Sequence, residues 1–417
     1  MTIQAVRGTR DILPDEIPVW HRIETAARGL CARYGYREIR TPVFEETEVF
    51  ARGIGAETDI VSKEMYTFAD RDGGSLTLRP EATAGIVRAV VEHNLMNADP
   101  ALKVYALGPM FRRERPQKGR YRQFHQLDVE ALGYSSPTID AEVIELALAT
   151  LDACGAKEHE LILNSVGDRN CRPAYVEMLR AALRDRASSM CEDCRRRADT
   201  NPLRVLDCKV EADQAVVEAL PRITDHLCAP CGEHFAEVRR QLALLGIPYR
   251  LSHRLVRGLD YYVRTTFEVT SGELGAQSSV LGGGRYDGLV KDLGGPDVAG
   301  IGFAVGLDRL ASLVPPAKDE PRCDVFLVPL AGATLDRALR LQHELRQAGL
   351  RAMLDPEARS VKSRMKQAAR LGARFVAILG EDEIARGAWT VRDMARSDQQ
   401  DVPEDRVLEH LKEKANG

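Results

Sequence analysis

Apolar residues recur at three- and four-residue steps through Trp20, Ile23, Ala27, Leu30 and Tyr34. This spacing predicts a helix, and Gly35 is placed to end it. The following YREIRTPVFEE reads as a short strand stopped or bent at Pro42. MYTFAD and SLTLRP flank Arg71-Asp72-Gly73-Gly74, a hairpin signal within 60–79. Pro80 to Thr83 then opens a helix through 84–94. Lys103–Leu107 predicts a strand, Ala141–Leu151 an amphipathic helix and Glu160–Asn164 another strand. Strands in succession with helices set against them predict an α+β unit on an antiparallel sheet, flanked by helices.

The pattern changes twice. Residues 168–250 are helix-rich, clearest over Tyr175–Arg186 and Glu233–Leu245, and hold most of the nine cysteines. They read as a helical insertion. Sheet patterning returns at Leu255 with VRGLDYYVRTTFEVTS, continues through GGGRYDG, and reaches AGIGFAVGLDRLASL, a glycine-rich buried strand running into a helix near Gly306. The proline-rich charged stretch 315–321 is the best boundary in the chain. Beyond it, DVFLVP, LRAML and RFVAILG alternate with helical patterns at 334–348 and 360–371, and WTVRDM follows. Such alternation predicts a C-terminal α/β domain with a small parallel or mixed sheet covered on both faces. The expected segments are therefore 1–167, 168–250, 251–314, a linker at 315–321, and 322–417.

Composition narrows the function classes. The 417 residues carry 58 basic and 62 acidic side chains, for a net charge of −4. The molecule is therefore not a uniformly basic nucleic-acid coat, and any such binding must use local patches. No apolar run approaches the roughly 18 residues that span a bilayer. The first residues, MTIQAVRGTRD, lack the apolar core of a secretory signal. With nine cysteines, an odd number, a cytoplasmic, reduced chain is expected rather than a disulfide scaffold.

The strongest local patch runs from Phe111 to Glu130. Arg112, Arg113, Arg115, Lys118, Arg120 and Arg122 face a single acid, Glu114, before Phe124, Leu127 and Val129. Two strands joined by a basic loop around Gln117-Lys118-Gly119 would fix arginines on a sheet, where they can hold phosphates bidentately. A solvated charge run is disfavoured, because Phe111, Tyr121 and Phe124 want burial. Arg309, at the start of the late helix, could clamp a polyphosphate from the other side. Arg257 sits in an aromatic-rich strand, where a charge needs a partner. Neither a Walker loop nor a strand-linked G-x-G-x-x-G is present, so any nucleotide would be held by arginines instead.

These residues resemble a known family. Phe111–Glu130 is similar to motif 2 of the class II aminoacyl-tRNA synthetases, GIGFAVGLDRL to motif 3 and YREIRTPVFEE to motif 1. Within that class, LVRGLDYYVRTTFEV, GGGRYDGL, RGTRDILP and TLRPEATA resemble segments of the bacterial-type histidyl-tRNA synthetases. The resemblance runs from about Arg7 to the C-terminus and is weaker in the insertion. It implies ATP-dependent ligation of L-histidine to tRNA(His) through a histidyl-adenylate, with Mg²⁺ accompanying ATP, in a homodimer. It also implies that 322–417 binds the anticodon.

Residue by residue, the resemblance puts Arg112 on the α-phosphate and Glu114 on the adenine amino group. Arg120 and Arg309 take the β- and γ-phosphates, and Phe124 stacks on adenine. Arg257 and Arg112 are then the catalytic pair. Glu81, Ala82, Thr83, Gln126, Glu130, Arg257, Tyr261, Tyr262 and Tyr286 form the histidine site, although the family usually has glycine where this chain has Ala82. Glu130 can accept an imidazole N–H, a ring that offers both a donor and an acceptor. If Tyr261 and Tyr262 lie on a strand, only one of them faces the ligand. Arg115, Gln117, Lys118 and Arg122 suit the tRNA acceptor end. Arg359, Lys362, Arg364, Lys366, Arg370 and Arg374 form an acid-free basic run in the last domain.

The insertion also holds Cys191-x-x-Cys194 and Cys228-x-x-Cys231. Paired knuckles of this kind suit a structural tetrahedral Zn²⁺, with Cys208, His226 and His234 as spare ligands. Reduced cysteines without metal are the alternative, and the resemblance does not choose between them. The main functional rival is a non-catalytic, histidine-binding regulatory paralogue of the kind that controls ATP phosphoribosyltransferase. A plain RNA-binding module is a weaker third reading.

Overall fold

The computed structural model describes residues 2–55, 58–115, 119–275, 278–316, 321–330, 332–357 and 360–416. The chain divides into two compact units, Met1–Pro316 and Ala317–Gly417.

The first unit contains strands β1 (Arg37–Glu38), β2 (Phe44–Glu46), β3 (Tyr66–Ala69), β4 (Ser75–Leu78), β5 (Leu102–Phe111) and β6 (Gln123–Leu132). It continues with β7 (Glu160–Ser165), β8 (Arg250–Leu251), β9 (Val263–Thr270), β10 (Ser279–Arg285) and β11 (Gly300–Gly306). Among the described residues, eight of these strands form one sheet in the order β1-β5-β6-β11-β10-β9-β7-β8. Its centre is antiparallel, while β1 joins β5 and β8 joins β7 in parallel at the two ends. The remaining three strands form a small antiparallel sheet, β2-β4-β3.

YREIRTPVFEE thus bends at Pro42, as its proline implies, and its halves β1 and β2 belong to different sheets. The Ile17–Arg33 helix carries proline in its first turn, and Gly35 follows it at φ 80°. The predicted Ala141–Leu151 helix is longer, Pro137–Cys154. The Ser136 hydroxyl accepts from the Thr138 N–H at 3.2 Å, Pro137 opens the first turn, and Gly155 ends it at φ 90°.

One face of the large sheet packs on these two helices and on Ala229–Leu244. Leu127, Val129 and Ala131 of β6 join Ile301, Phe303 and Val305 of β11 and Phe267 and Val269 of β9 in that core. Apart from Ala131, each of these side chains contributes on the order of 1.5–3 kcal/mol when fully buried. One ionic cluster interrupts the apolar layer. Arg285 and Asp140 are both fully buried and paired, and His234 Nε2 lies 2.8 Å from Asp140 Oδ2. Burial resists ionisation of Asp140, but His234 and Arg285 hold its carboxyl below the ordinary value.

Residues 172–244 form the helical insertion with its own apolar cluster, centred on Tyr175, Leu179, Leu183, Val205 and Val217. In the second unit, β12 (Val325–Pro329), β13 (Ala352–Leu354), β14 (Phe375–Leu379), β15 (Ala388–Asp393) and β16 (Gln399–Pro403) form a sheet ordered β13-β12-β14-β15-β16. Its first three strands are parallel and its last two antiparallel, the mixed sheet that the alternation implies.

Candidate active site

The second face of the large sheet carries polar side chains over a floor of very small ones. β5 and β6 form the expected hairpin, with Phe111 opposite Gln123 and Val104 opposite Glu130. Side chains alternate across a strand, so Gln126, Asp128 and Glu130 share the face opposite Leu127 and Val129. Across on β11 their partners are Gly306, Ala304 and Gly302, and on β10 Gly282 and Gly284 continue the floor. The glycines make room. A Cβ on Gly302 would overlap the Glu130 carboxylate, and one on Gly282 would overlap the Arg257 guanidinium. The period-2 pattern Gly300-Ile301-Gly302-Phe303-Ala304-Val305-Gly306 thus reads core on one side and site on the other.

Above this floor lies a cleft of about 800 Å³. Glu81, Thr83, Gln126, Glu130, Arg257, Tyr261, Tyr262 and Tyr286 all line it, and so do Arg112, Glu114, Arg120, Phe124 and Arg309. Ala82 does not. Its side chain is fully buried in an apolar cluster with Ile86 and Val87, so the departure from glycine faces the core rather than a ligand.

At one end three carboxyls converge. Thr83 Oγ1 donates to Glu130 Oε1 at 2.6 Å, and the Tyr286 hydroxyl donates to Glu130 Oε2. Glu81 accepts the backbone N–H of Thr83 at 2.8 Å and of Ala84 at 3.0 Å, which fixes the start of the Thr83–Glu92 helix. Asp128 is the residue that sequence reading missed. It is buried beside the other two, and among the described residues its Oδ2 has no hydrogen-bond partner. The Gln126 side-chain oxygen is also buried and unpartnered there. Burial, and then the Glu81 charge, push the Asp128 carboxyl up to about 8. Burial also lifts Glu130 to about 8, against the pull of its Thr83 and Tyr286 hydrogen bonds. A buried nest of acceptors this short of donors is built for a ligand bearing ammonium or N–H groups.

At the other end guanidinium groups converge. Arg112 donates to the Pro80 carbonyl at 2.8 Å and lies 5.4 Å over the Phe124 ring. Arg120 pairs with Glu114 at 2.7 Å. Arg309 donates to the carbonyls of Gly119 and Ser279. Burial lowers the Arg309 pKa, and the nearby Arg120 and Arg112 charges lower it further. Like charges held together this way suit a polyanion. Between the two ends Arg257 Nη1 meets Glu268 Oε2 at 2.6 Å, and its guanidinium lies 5.9 Å over Tyr262. Glu268 is a second residue that sequence reading missed; it reaches this face because β9 pairs it with Gly282.

Several expectations need correction. Residues 255–262 are not a strand, since β9 begins only at Val263. Tyr261 and Tyr262 therefore escape alternation, and both line the cleft with rings 4.7 Å apart. Arg257 likewise stands on a loop. Of the residues assigned to tRNA, Arg115 is exposed, whereas Arg122 donates to the Arg7 carbonyl at 3.1 Å and braces the N-terminal segment. Gln117 and Lys118 lie outside the described residues, as does Arg359. Arg364 is buried and donates to the carbonyls of Pro329 and Glu357, and Arg374 donates to those of Lys414 and Ala415. The outward part of that basic run is Lys362, Lys366 and Arg370.

The four knuckle cysteines do not meet in one site either. Cys228 and Cys231 gather with Asp168 and Cys171, while Cys191 and Cys194 gather with Cys208 and Asp213. Of the spare ligands, only Cys208 belongs to a cluster. His234 is taken by Asp140, and His226 stacks at 6.4 Å on Tyr175. The two knuckles belong to separate clusters in space, which linear spacing does not reveal. Among the described residues, no helix is long and apolar enough to cross a membrane.

Comparison with known proteins identifies the family. Residues 8–310 match the family described as Histidyl-tRNA synthetase, and residues 324–414 match an Anticodon binding domain. The chain is similar to the Histidine--tRNA ligase of Solibacter usitatus, at 52% identity over 99% of this chain and 100% of that one. It is similar to that of Syntrophotalea carbinolica at 47% identity over the whole of both chains. The apo histidyl-tRNA synthetase of S. aureus superposes with a TM-score of 0.82, at 37% identity over 99% of this chain and 100% of that one. An ATP phosphoribosyltransferase regulatory subunit/histidyl-tRNA synthetase from Bacillus halodurans has a TM-score of 0.65 at 21% identity, covering 88% of this chain and 97% of that one, a likeness of fold alone. With a family match across most of its length and full-length relatives at about half identity, this chain belongs to the histidyl-tRNA synthetase family.

Proposed function

We propose that the protein joins L-histidine to tRNA(His) in two steps, with ATP and its Mg²⁺ as the energy source. The observation that carries this reading is one cleft with acceptors at one end and arginines at the other. Histidine sits at the acceptor end. Glu130 takes an imidazole N–H, Tyr261, Tyr262 and Tyr286 wall the ring, and Glu81, Thr83 and Gln126 hold the α-ammonium. Asp128 lies beneath them, its carboxyl raised to about 8 and so mostly protonated at neutral pH. ATP sits at the arginine end. Phe124 and Glu114 receive adenine, Arg112 the α-phosphate, and Arg120 and Arg309 the β- and γ-phosphates.

In the first step the histidine carboxylate attacks the α-phosphorus and pyrophosphate leaves. The carboxylate is already ionised at neutral pH, so no general base is required. Arg112 and Arg257 neutralise charge as it builds at the α-phosphate, and alignment supplies much of the remainder. For Arg257 to turn to the phosphate it must loosen from Glu268, which makes that pair a resting latch. In the second step a 3′-terminal ribose hydroxyl of the tRNA takes the histidyl group and AMP departs. Arg115 meets the acceptor end, and Lys362, Lys366 and Arg370 meet the anticodon arm through phosphate contacts.

A homodimer is part of this reading. Strand β1 stops short of Pro42 at the edge of the large sheet, and the neighbouring Val43 and Phe44 are exposed. Light scattering at twice the chain mass is expected.

The regulatory reading is less favoured. A histidine sensor has no use for Arg112, Arg120 and Arg309 drawn together in the cleft. Histidine-dependent exchange of pyrophosphate into ATP is the deciding assay. A folded protein that binds histidine but performs no exchange would defeat the catalytic reading and favour the sensor.

A further inference from the structure

The insertion gathers its cysteines twice, each time in the same way. Asp168, Cys171, Cys228 and Cys231 form one cluster, and Cys191, Cys194, Cys208 and Asp213 form the other. Within each, all four candidate ligand atoms lie within 4.8 Å of one another. We propose that each cluster is a structural zinc site of three thiolates and one carboxylate, and that the pair holds the insertion in the shape in which it walls the active-site cleft.

The distances fit the chemistry. Tetrahedral zinc with Zn–S bonds of about 2.3 Å separates its sulfurs by roughly 3.8 Å. Cys191 Sγ and Cys208 Sγ are 3.9 Å apart. Both Cys-x-x-Cys pairs begin a helix, Glu192–Thr200 in one case and Ala229–Leu244 in the other. Each carboxylate is also aimed by backbone. Asp213 accepts the Cys191 N–H at 3.2 Å on both oxygens, and Asp168 accepts the Asn170 N–H at 2.9 Å. A disulfide would use two sulfurs of each cluster and leave the third cysteine and the aspartate unexplained.

Placement gives the two sites different work. Asp168 and Cys171 lie just after β7, where the chain leaves the sheet, and Cys228 and Cys231 lie where it returns. An ion there clasps the root of the insertion. Beside it Arg172 donates to the carbonyls of Val166, Gly167 and Tyr262, so the clasp abuts the loop that carries the pocket tyrosines. The second site ties the Glu192–Thr200 helix to the 208–213 stretch. Arg204, Asp207 and Lys209 on that side line the cleft, and Arg254 anchors it through the Cys208 carbonyl at 3.0 Å.

The test is elemental analysis of the full chain from zinc-supplemented culture, kept reduced, beside Cys231→Ser and Cys208→Ser. The expectation is about two zinc equivalents in the parent and about one in each variant. Replacement of zinc by Co²⁺ in the parent should give thiolate-to-cobalt charge-transfer absorbance, which does not depend on either variant folding. Hydrogen exchange in residues 200–213 should rise in Cys208→Ser. Zinc below about a tenth of an equivalent together with no cobalt–thiolate band would overturn the proposal. An intact mass lowered by disulfide formation would overturn it too, and make the clusters redox pairs. If the parent holds one ion that only one variant loses, the other cluster is not a metal site. Unchanged exchange in 200–213 would overturn the role given to the second ion.

Discussion

Replacing Glu130 by glutamine keeps its shape and removes its titration. With the site free of histidine, burial raises the Glu130 carboxyl from 4.5 to about 8, so at pH 7 roughly nine molecules in ten hold a proton there. A ring N–H needs the carboxylate, so histidine binding at pH 7 should expel about 0.9 proton from Glu130. Deprotonation costs about 1.4 kcal/mol at that pH. A hydrogen bond to a charged acceptor returns about 1.5–3 kcal/mol, so binding stays favourable. Histidine affinity should therefore improve about fivefold from pH 7 to pH 8. The stability of the unliganded protein should move the opposite way. A carboxyl raised in the folded state binds more protons than the unfolded chain between pH 4.5 and about 8, so stability falls as pH rises through that window. Titration calorimetry in buffers of different ionisation enthalpy reads the proton count directly. Glu130→Gln should release almost none and bind with a flat pH profile. If the variant still releases the full proton, it comes from Asp128, whose carboxyl is also raised to about 8. If the parent releases none, Glu130 stays neutral and donates to the ring nitrogen instead, and the reasoning fails.

Arg257→Ala should lower pyrophosphate exchange on the order of 10²–10³-fold, with a far smaller loss in histidine affinity, because its main contact forms in the transition state. Gly282→Ala should mimic that loss, since a Cβ there overlaps the Arg257 guanidinium; undiminished turnover in the folded variant would show that Arg257 need not rest on the sheet. Asp140→Ala should cost about 3–5 kcal/mol in urea unfolding, because it strands the buried Arg285 charge. Lys366→Ala should reduce the salt dependence of tRNA binding by about one unit of log–log slope, while Arg364→Ala should leave the slope unchanged and lower domain stability, since Arg364 is buried.

Much of this architecture was legible in one dimension. Hairpins and helices with turn glycines and period-2 or period-3.6 patterns fell where expected, because local backbone preference and burial agree there. Phe111–Glu130, through arginines interleaved with aromatics, pointed to the cleft that Arg112, Arg120 and Phe124 line. The small residues of Gly300–Gly306 already alternated with large apolar ones, so that strand's two faces were written in its sequence. Alternation along β6 also puts Asp128 beside Gln126 and Glu130, a signal present in the sequence alone.

What only the tertiary structure decided depends on contacts between distant segments. Tyr261 and Tyr262 face the same cleft because the chain is still in a loop there, and no local periodicity marks where β9 starts. Arg364 and Arg374 turn inward to satisfy backbone carbonyls, although in sequence they match Lys366 and Arg370. The two cysteine knuckles look like halves of one site, yet each gathers with a further cysteine and an aspartate from elsewhere in the fold. Hydrophobic periodicity reports which side of an element is buried. It carries no information on which polar groups two buried sides bring together, and that pairing sets the charge of Glu130, the resting place of Arg257 and the members of each cysteine cluster.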